Sequence, residues 1–111
     1  LVHVAGNSLF VKGRYLPAVE RYTEAITLVP KDPAFAVLYV NRAMCYKKVE
    51  RWDAVVEDAA TALSLEGSHM KAHYLMGIGL REQQQVSQGI IHLQKALEAA
   101  REKGDSIKDE M

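Results

Sequence analysis

The sequence predicts an all-α superhelix of three stacked helical hairpins, and three observations carry that prediction. A small residue followed by Leu or an aromatic recurs as Gly6 with Leu9, Ala43 with Tyr46 and Gly77 with Leu80, at spacings of 37 and 34 residues. Within each unit a second set of residues follows at i, i+4 and i+7: Ala18, Tyr22 and Ala25, then Val55, Ala59 and Ala62, then Gly89, Leu93 and Ala96. Those positions share one helical face, and small side chains there let neighbouring helices approach closely. No apolar/polar alternation of the kind a half-buried strand needs competes with this pattern. A 34-residue period is that of a helix-turn-helix repeat, a unit that cannot bury its apolar face alone and must stack.

The elements follow in order. Six helices are expected over 1–12, 16–28, 34–48, 53–65, 70–83 and 87–102. KGRY, VERW and QQQV mark the turn inside each hairpin, while VPKDP and EGSH separate the hairpins. The three residues by which the first period exceeds 34 fall in VPKDPAF, where Pro30 and Pro33 break helices and a loop lengthens at low cost. The units are 1–32, 34–67 and 70–103 of one domain covering 1–111. Repeat arrays need a terminal cap with a polar outer face, so GDSIKDEM at 104–111 is expected to begin a capping helix. The start at Leu1 rather than Met and the stop after KDEM lead to the expectation of a piece cut from a longer chain.

Composition narrows the chemistry. The 111 residues are 49% hydrophobic and 25% charged, ordinary globular composition. Fourteen basic residues balance fourteen acidic ones, so no global field draws in nucleic acid or an acidic membrane surface, and any anion site must be local. No apolar run approaches the roughly 20 residues that span a bilayer. The single Cys45 cannot form an internal disulfide, which fits a reducing, cytoplasmic setting. Flanked by Met44 and Tyr46 on a repeat helix, it is expected to be a small buried hydrophobe rather than a nucleophile. His69 and His73 stand four apart as in a zinc helix, but Met70 occupies the place of the metalloprotease glutamate and no third ligand is evident. No glycine-rich phosphate loop or catalytic constellation appears. Neither a metal, a cofactor nor a small-molecule substrate is expected, and the work of the chain is binding.

VLYVNRAMCY, residues 37–46, holds the least expected residues: Asn41 and Arg42 interrupt an apolar run, although asparagine competes for backbone hydrogen bonds and is a poor helix former. Asn41 shares a helical stripe with Val37, Val40 and Met44, with Lys48 a turn further on. The matching stripes are His3, Val4, Asn7 and Phe10 in the first unit, and Lys71, Tyr74, Leu75 and Ile78 in the third. Arg42, one step round the helix, faces the partner helix or the rim and is expected to be structural.

GNSLF with YLPAVERYTEAI, then VNRAMCY, then MKAHYLMG with GIIHLQKALEAA carry a resemblance over nearly the whole chain. The sequence resembles tetratricopeptide repeat domains, and among them the three-repeat domains of co-chaperone U-box ubiquitin ligases. The resemblance implies a right-handed superhelix in which the first helices of the repeats line a concave peptide-binding groove. It also implies a partner: the C-terminal Glu-Glu-Val-Asp tail of cytosolic heat-shock chaperones, its acidic end held by a carboxylate clamp. Asn7 and Asn41 match the two clamp asparagines and Lys71 the clamp lysine of the third repeat. The alternative for Asn41 is a bond to a neighbouring helix carbonyl.

The departures thin the clamp. His3 stands where a lysine is usual, and Leu75 where an arginine is frequent. Histidine is largely neutral at pH 7, so His3 is expected to add charge only as pH falls, unless it frays at the terminus. Tyr74, Leu75 and Phe10, with Val11 and Ile78, are expected to supply apolar wall for the upstream part of a tail, although Phe10 and Ile78 also suit inter-repeat packing. Lys47 and Lys48 offer charge near the exit of the second repeat, and Asp109 or Glu110 could close over the peptide if the tail helix folds. The expected function is thus that of an adaptor bringing a U-box ligase to chaperone-held clients, with ubiquitin transfer residing outside this chain. A structural repeat scaffold reading an unrelated protein is the other class.

Overall fold

The computed structural model describes residues 2–28 and 32–110. Six α-helices run along the chain: α1 (Val2–Val11), α2 (Tyr15–Leu28), α3 (Ala36–Lys48), α4 (Trp52–Leu65), α5 (Met70–Glu82) and α6 (Val86–Glu110). A single 3-10 turn, Pro33–Phe35, leads into α3, and no strand occurs among the described residues. The fold class and the helix order match the sequence-based expectation. One element differs. α6 continues through Gly104 to Glu110 in a single 25-residue stretch, so the separate capping helix expected at 104–111 does not begin within it. The segment AAREKGDSIKDE has one glycine and no proline, and a lone glycine costs a helix only about 1 kcal/mol, too little to force a break.

Each hairpin closes in the same way. At the end of α1, Gly13 N–H donates to Phe10 C=O at 2.9 Å and Arg14 N–H to Leu9 C=O at 2.9 Å. At the end of α3, Glu50 N–H donates to Lys47 C=O at 3.1 Å and Arg51 N–H to Tyr46 C=O at 2.9 Å. At the end of α5, Gln84 N–H donates to Arg81 C=O at 2.9 Å and Gln85 N–H to Leu80 C=O at 2.8 Å. These are three Schellman closures, each with a left-handed residue just past the helix: Gly13 (φ 77°), Glu50 (φ 58°) and Gln84 (φ 67°). Glycine takes that conformation freely, whereas Glu50 and Gln84 hold it against a steric penalty on their Cβ. The positions recur with the spacings read from the small-residue marks.

Those marks are where helices meet. Ala18, Ala43, Val55, Ala59 and Ala62 are fully buried, and Tyr22 nearly so. A Cβ on Gly89 would lie 2.8 Å from the Gly77 carbonyl oxygen and 3.2 Å from the Arg81 nitrogen, so α5 and α6 cross backbone to backbone. At Gly6 the space a Cβ would fill is taken by the Tyr22 ring. Each hairpin packs on the next through α2 with α3 and α4 with α5, and α1, α3 and α5 also touch in succession, forming one continuous layer. Asn7, Phe10, Asn41, Lys48, Lys71 and Tyr74 all belong to the helices of that layer.

Beneath the layer, Arg42 is anchored to a second tier. Its Nε donates to Asp58 Oδ2 at 2.7 Å, its Nη2 to Asp58 Oδ1 at 2.6 Å and its Nη1 to Thr23 Oγ1 at 3.1 Å, tying α3 to α4 and α2. The guanidinium also lies 5.6 Å from the Tyr39 ring centroid, within cation–π range. The hydrogen bonds to Asp58 raise the Arg42 pKa above its ordinary value, while at Asp58 burial pushes the carboxyl up and Arg42 pulls it down. Arg42 is structural, as its position one step off the groove stripe implied. Cys45 is fully buried and its thiol is pushed up to about 11, chiefly by burial, which keeps it protonated and inert.

Candidate functional site

Asn7 on α1, Asn41 on α3 and Lys71 on α5 converge on one cavity of about 260 Å³, walled by Phe10, Val11 and Met44 with Tyr22 beneath. The three helices bring them together because each presents the same face to the layer formed by α1, α3 and α5. Asn41 Nδ2 donates to Asn7 Oδ1 at 3.5 Å, across two repeats, and the Tyr22 hydroxyl donates to the same oxygen. Burial pushes the Tyr22 phenol up to about 12, so it remains a donor at neutral pH. With the Asn7 oxygen engaged twice, what that amide offers a ligand is its NH2 group. Asn41 is bonded to a side chain here rather than to a helix carbonyl. Lys71 is exposed and forms no ion pair among the described residues. Two amides and one ammonium thus line one hollow, and no carboxylate side chain lines it among the described residues.

A second cavity, of about 440 Å³, adjoins the first and shares Asn41 and Lys71 with it. It reaches Val37 on α3, Glu66 and His69 around the α4–α5 connection, and Lys103 on α6. Lys103 was not legible as a groove residue: it lies 32 positions from Lys71, and no periodicity says where a 25-residue helix returns. Tyr22 was read only as a packing residue, although its position opposite Asn7 in the first hairpin was available as a signal.

The remaining candidates divide. Phe10 is half-buried, lines the Asn7 cavity and packs edge-on against Tyr15 at 5.4 Å, so it serves both wall and packing. Tyr74 is 41% exposed and opens on an adjoining apolar cleft of about 330 Å³ with Leu93 and Leu97, which Lys71 also lines, its ring 5.5 Å from Lys47 Nζ. Leu75 requires a correction: it is fully buried in the core with Val40, Ala43 and Ala72 and contributes no groove wall. A side chain four residues on from Lys71 has turned 40° past a full turn, and an aliphatic group there gains about 1.5–3 kcal/mol by going inward. Lys48 is exposed but lines neither of the cavities that hold Asn41 and Lys71; its neighbour Lys47 is the one engaged, with Tyr74. The side chains of His3, Asp109 and Glu110 lie outside the described residues.

The histidines singled out in the sequence have separate local roles. His69 caps α5, its Nδ1 accepting from Ala72 N–H at 3.3 Å, with Nε2 3.9 Å from Glu66. His73 Nε2 lies 2.8 Å from the Gly67 carbonyl and must carry the proton there, so its Nδ1, 3.1 Å from His92 Nδ1, accepts a proton bond from His92. Burial, then His73 and Lys95, hold His92 below its ordinary value of 6.5. The unfolded chain therefore takes up this proton first as pH falls, and stability declines from about pH 6.5 downward. Urea midpoints should fall between about pH 7 and 5 in the parent, with a shallower slope in His92→Gln. An unchanged slope in the variant would assign the dependence elsewhere.

No protein-family model matches the chain. Among curated proteins it is 40% identical over 96 residues to the E3 ubiquitin-protein ligase CHIP of Arabidopsis thaliana, covering 86% of this chain and 34% of that protein. The chain thus spans about a third of the length of that relative. Among solved structures, the second repeat domain of Spaghetti (RPAP3), bound to the HSP90 peptide SRMEEVD, superposes with a TM-score of 0.81 at 28% identity, covering 86% of each chain. The second such domain of human RPAP3, in complex with the HSP70 peptide SGPTIEEVD, has a TM-score of 0.81 and 28% identity over 88% of this chain and 79% of that one. Three identical hairpin closures at repeat spacing, one continuous layer of first helices and these likenesses lead to one conclusion: the chain is a tetratricopeptide repeat domain.

Proposed function

We propose that this domain is a peptide-binding co-chaperone adaptor that takes the C-terminal Glu-Glu-Val-Asp tail of cytosolic heat-shock chaperones, and that in its parent it recruits chaperone-held clients to a U-box ubiquitin ligase. The observation that carries the reading is the convergence of Asn7, Asn41 and Lys71 on one hollow. A single exposed ion pair contributes only about 0–1 kcal/mol, so a chain end is held usefully only where several donors meet. The adjoining Phe10, Val11 and Met44 suit an apolar residue just before that end. Similarity to a ubiquitin ligase and to domains solved with HSP90 and HSP70 peptides supports the choice of partner. The work is assigned to the cytoplasm, where those chaperones reside. Among the described residues no helix is long and apolar enough to cross a membrane.

Titration calorimetry with a peptide ending in Glu-Glu-Val-Asp tests it. Low-micromolar binding is expected, abolished when the terminal carboxyl is amidated. Equal binding of the amidated peptide would favour a scaffold that reads some other feature of its partner.

A further inference from the structure

Lys71 on α5 and Lys103 on α6 both line the 440 Å³ cavity. We propose that the side-chain carboxylate of the tail's last residue is held between Lys71 and Lys103 in the 440 Å³ cavity, while the chain-end carboxylate takes the amides of Asn7 and Asn41 next door. This rests on the tail-binding reading above and adds a specificity determinant to it.

Three observations support the assignment. The two cavities share Asn41 and Lys71, so two carboxylates on one terminal residue can straddle the boundary without moving the protein. Lys103 reaches the cavity together with Ala99, four residues earlier, because the two lie on one face of α6, which is helical through both positions. The charges facing this cavity are Lys71 and Lys103 against Glu66, with His69 beside them. One added carboxylate balances the surplus lysine. The first cavity, by contrast, offers mostly neutral donors and apolar wall. Glu66 opposes the incoming acid and sets a limit on its affinity.

The test compares two peptides with free C-termini, one ending in Glu-Glu-Val-Asp and one in Glu-Glu-Val-Asn, on the parent, Lys103→Gln and Glu66→Gln. Lys103→Gln should weaken the Asp-ended peptide about 3- to 10-fold and leave the Asn-ended peptide unchanged, the range expected for one partly exposed charge-assisted contact. Glu66→Gln should tighten the Asp-ended peptide selectively. If Lys103→Gln weakens both peptides alike, or neither, the assignment of Lys103 falls while tail binding stands. If the parent binds neither peptide, the tail-binding reading falls and this assignment with it.

Discussion

Replacing Arg42 with alanine is expected to remove about 3–5 kcal/mol of folding stability at neutral pH, the largest loss from any single substitution considered for this domain. Asp58 is only 3% exposed, and Arg42 supplies both of its short hydrogen bonds. Without the guanidinium, a carboxylate stays buried with no counter-charge, and Thr23 loses its partner on α3. The converse change, Asp58→Ala, should cost less, because Arg42 keeps 18% of its side-chain surface exposed and can carry its charge toward water. Removing both as Arg42→Met with Asp58→Leu should recover most of the loss, since a well-packed apolar pair often matches a buried ion pair. Urea denaturation at pH 7 checks the series. The deficit of Arg42→Ala should shrink in acid, where a protonated Asp58 needs no counter-charge. A loss under about 1 kcal/mol would show that the α3–α4 seam does not depend on this pair.

Lys71→Ala is expected to weaken binding of a Glu-Glu-Val-Asp peptide by about 1–3 kcal/mol, roughly a 5- to 150-fold rise in Kd, with no change in folding stability. The residue is exposed, forms no ion pair among the described residues and lines both cavities, so its truncation removes the one ammonium they share. Asn41→Ala should produce a similar loss for a different reason: its NH2 group both faces the groove and meets Asn7. Calorimetry on the two variants, alongside thermal melts showing an unchanged Tm for Lys71→Ala, separates binding from folding. If both variants bind as the parent does, the donors assigned to the site are the wrong ones.

The repeat was legible because its marks obey geometry that tertiary context does not override. A small residue must stand wherever two backbones cross, so Gly77 and Gly89 announce α5 against α6 directly in the sequence. Asn41 stood out as a polar group inside an apolar stripe, Asn7 and Lys71 were picked out with it by the family resemblance, and the stripe indicated that the three share one face. Leu75 was not legible. A stripe at i, i+3 and i+4 is wider than the groove it borders, and only packing decides which edge position turns inward. Lys103 escaped for want of any local signal, since what brings it to the groove is the length of α6 and not its own neighbours. The unbroken run through Gly104 was likewise hidden, because a single glycine marks both helix ends and helix interiors.

The hydroxyl of Tyr22 settles which way the Asn7 amide faces. Rotational freedom of that group is therefore surrendered during folding and not again at encounter, so an arriving acceptor meets a donor already aimed. Under the proposed function, such advance orientation would let a short chain end be held by few contacts, with the second helix of the hairpin contributing through Tyr22 at the floor of the cavity.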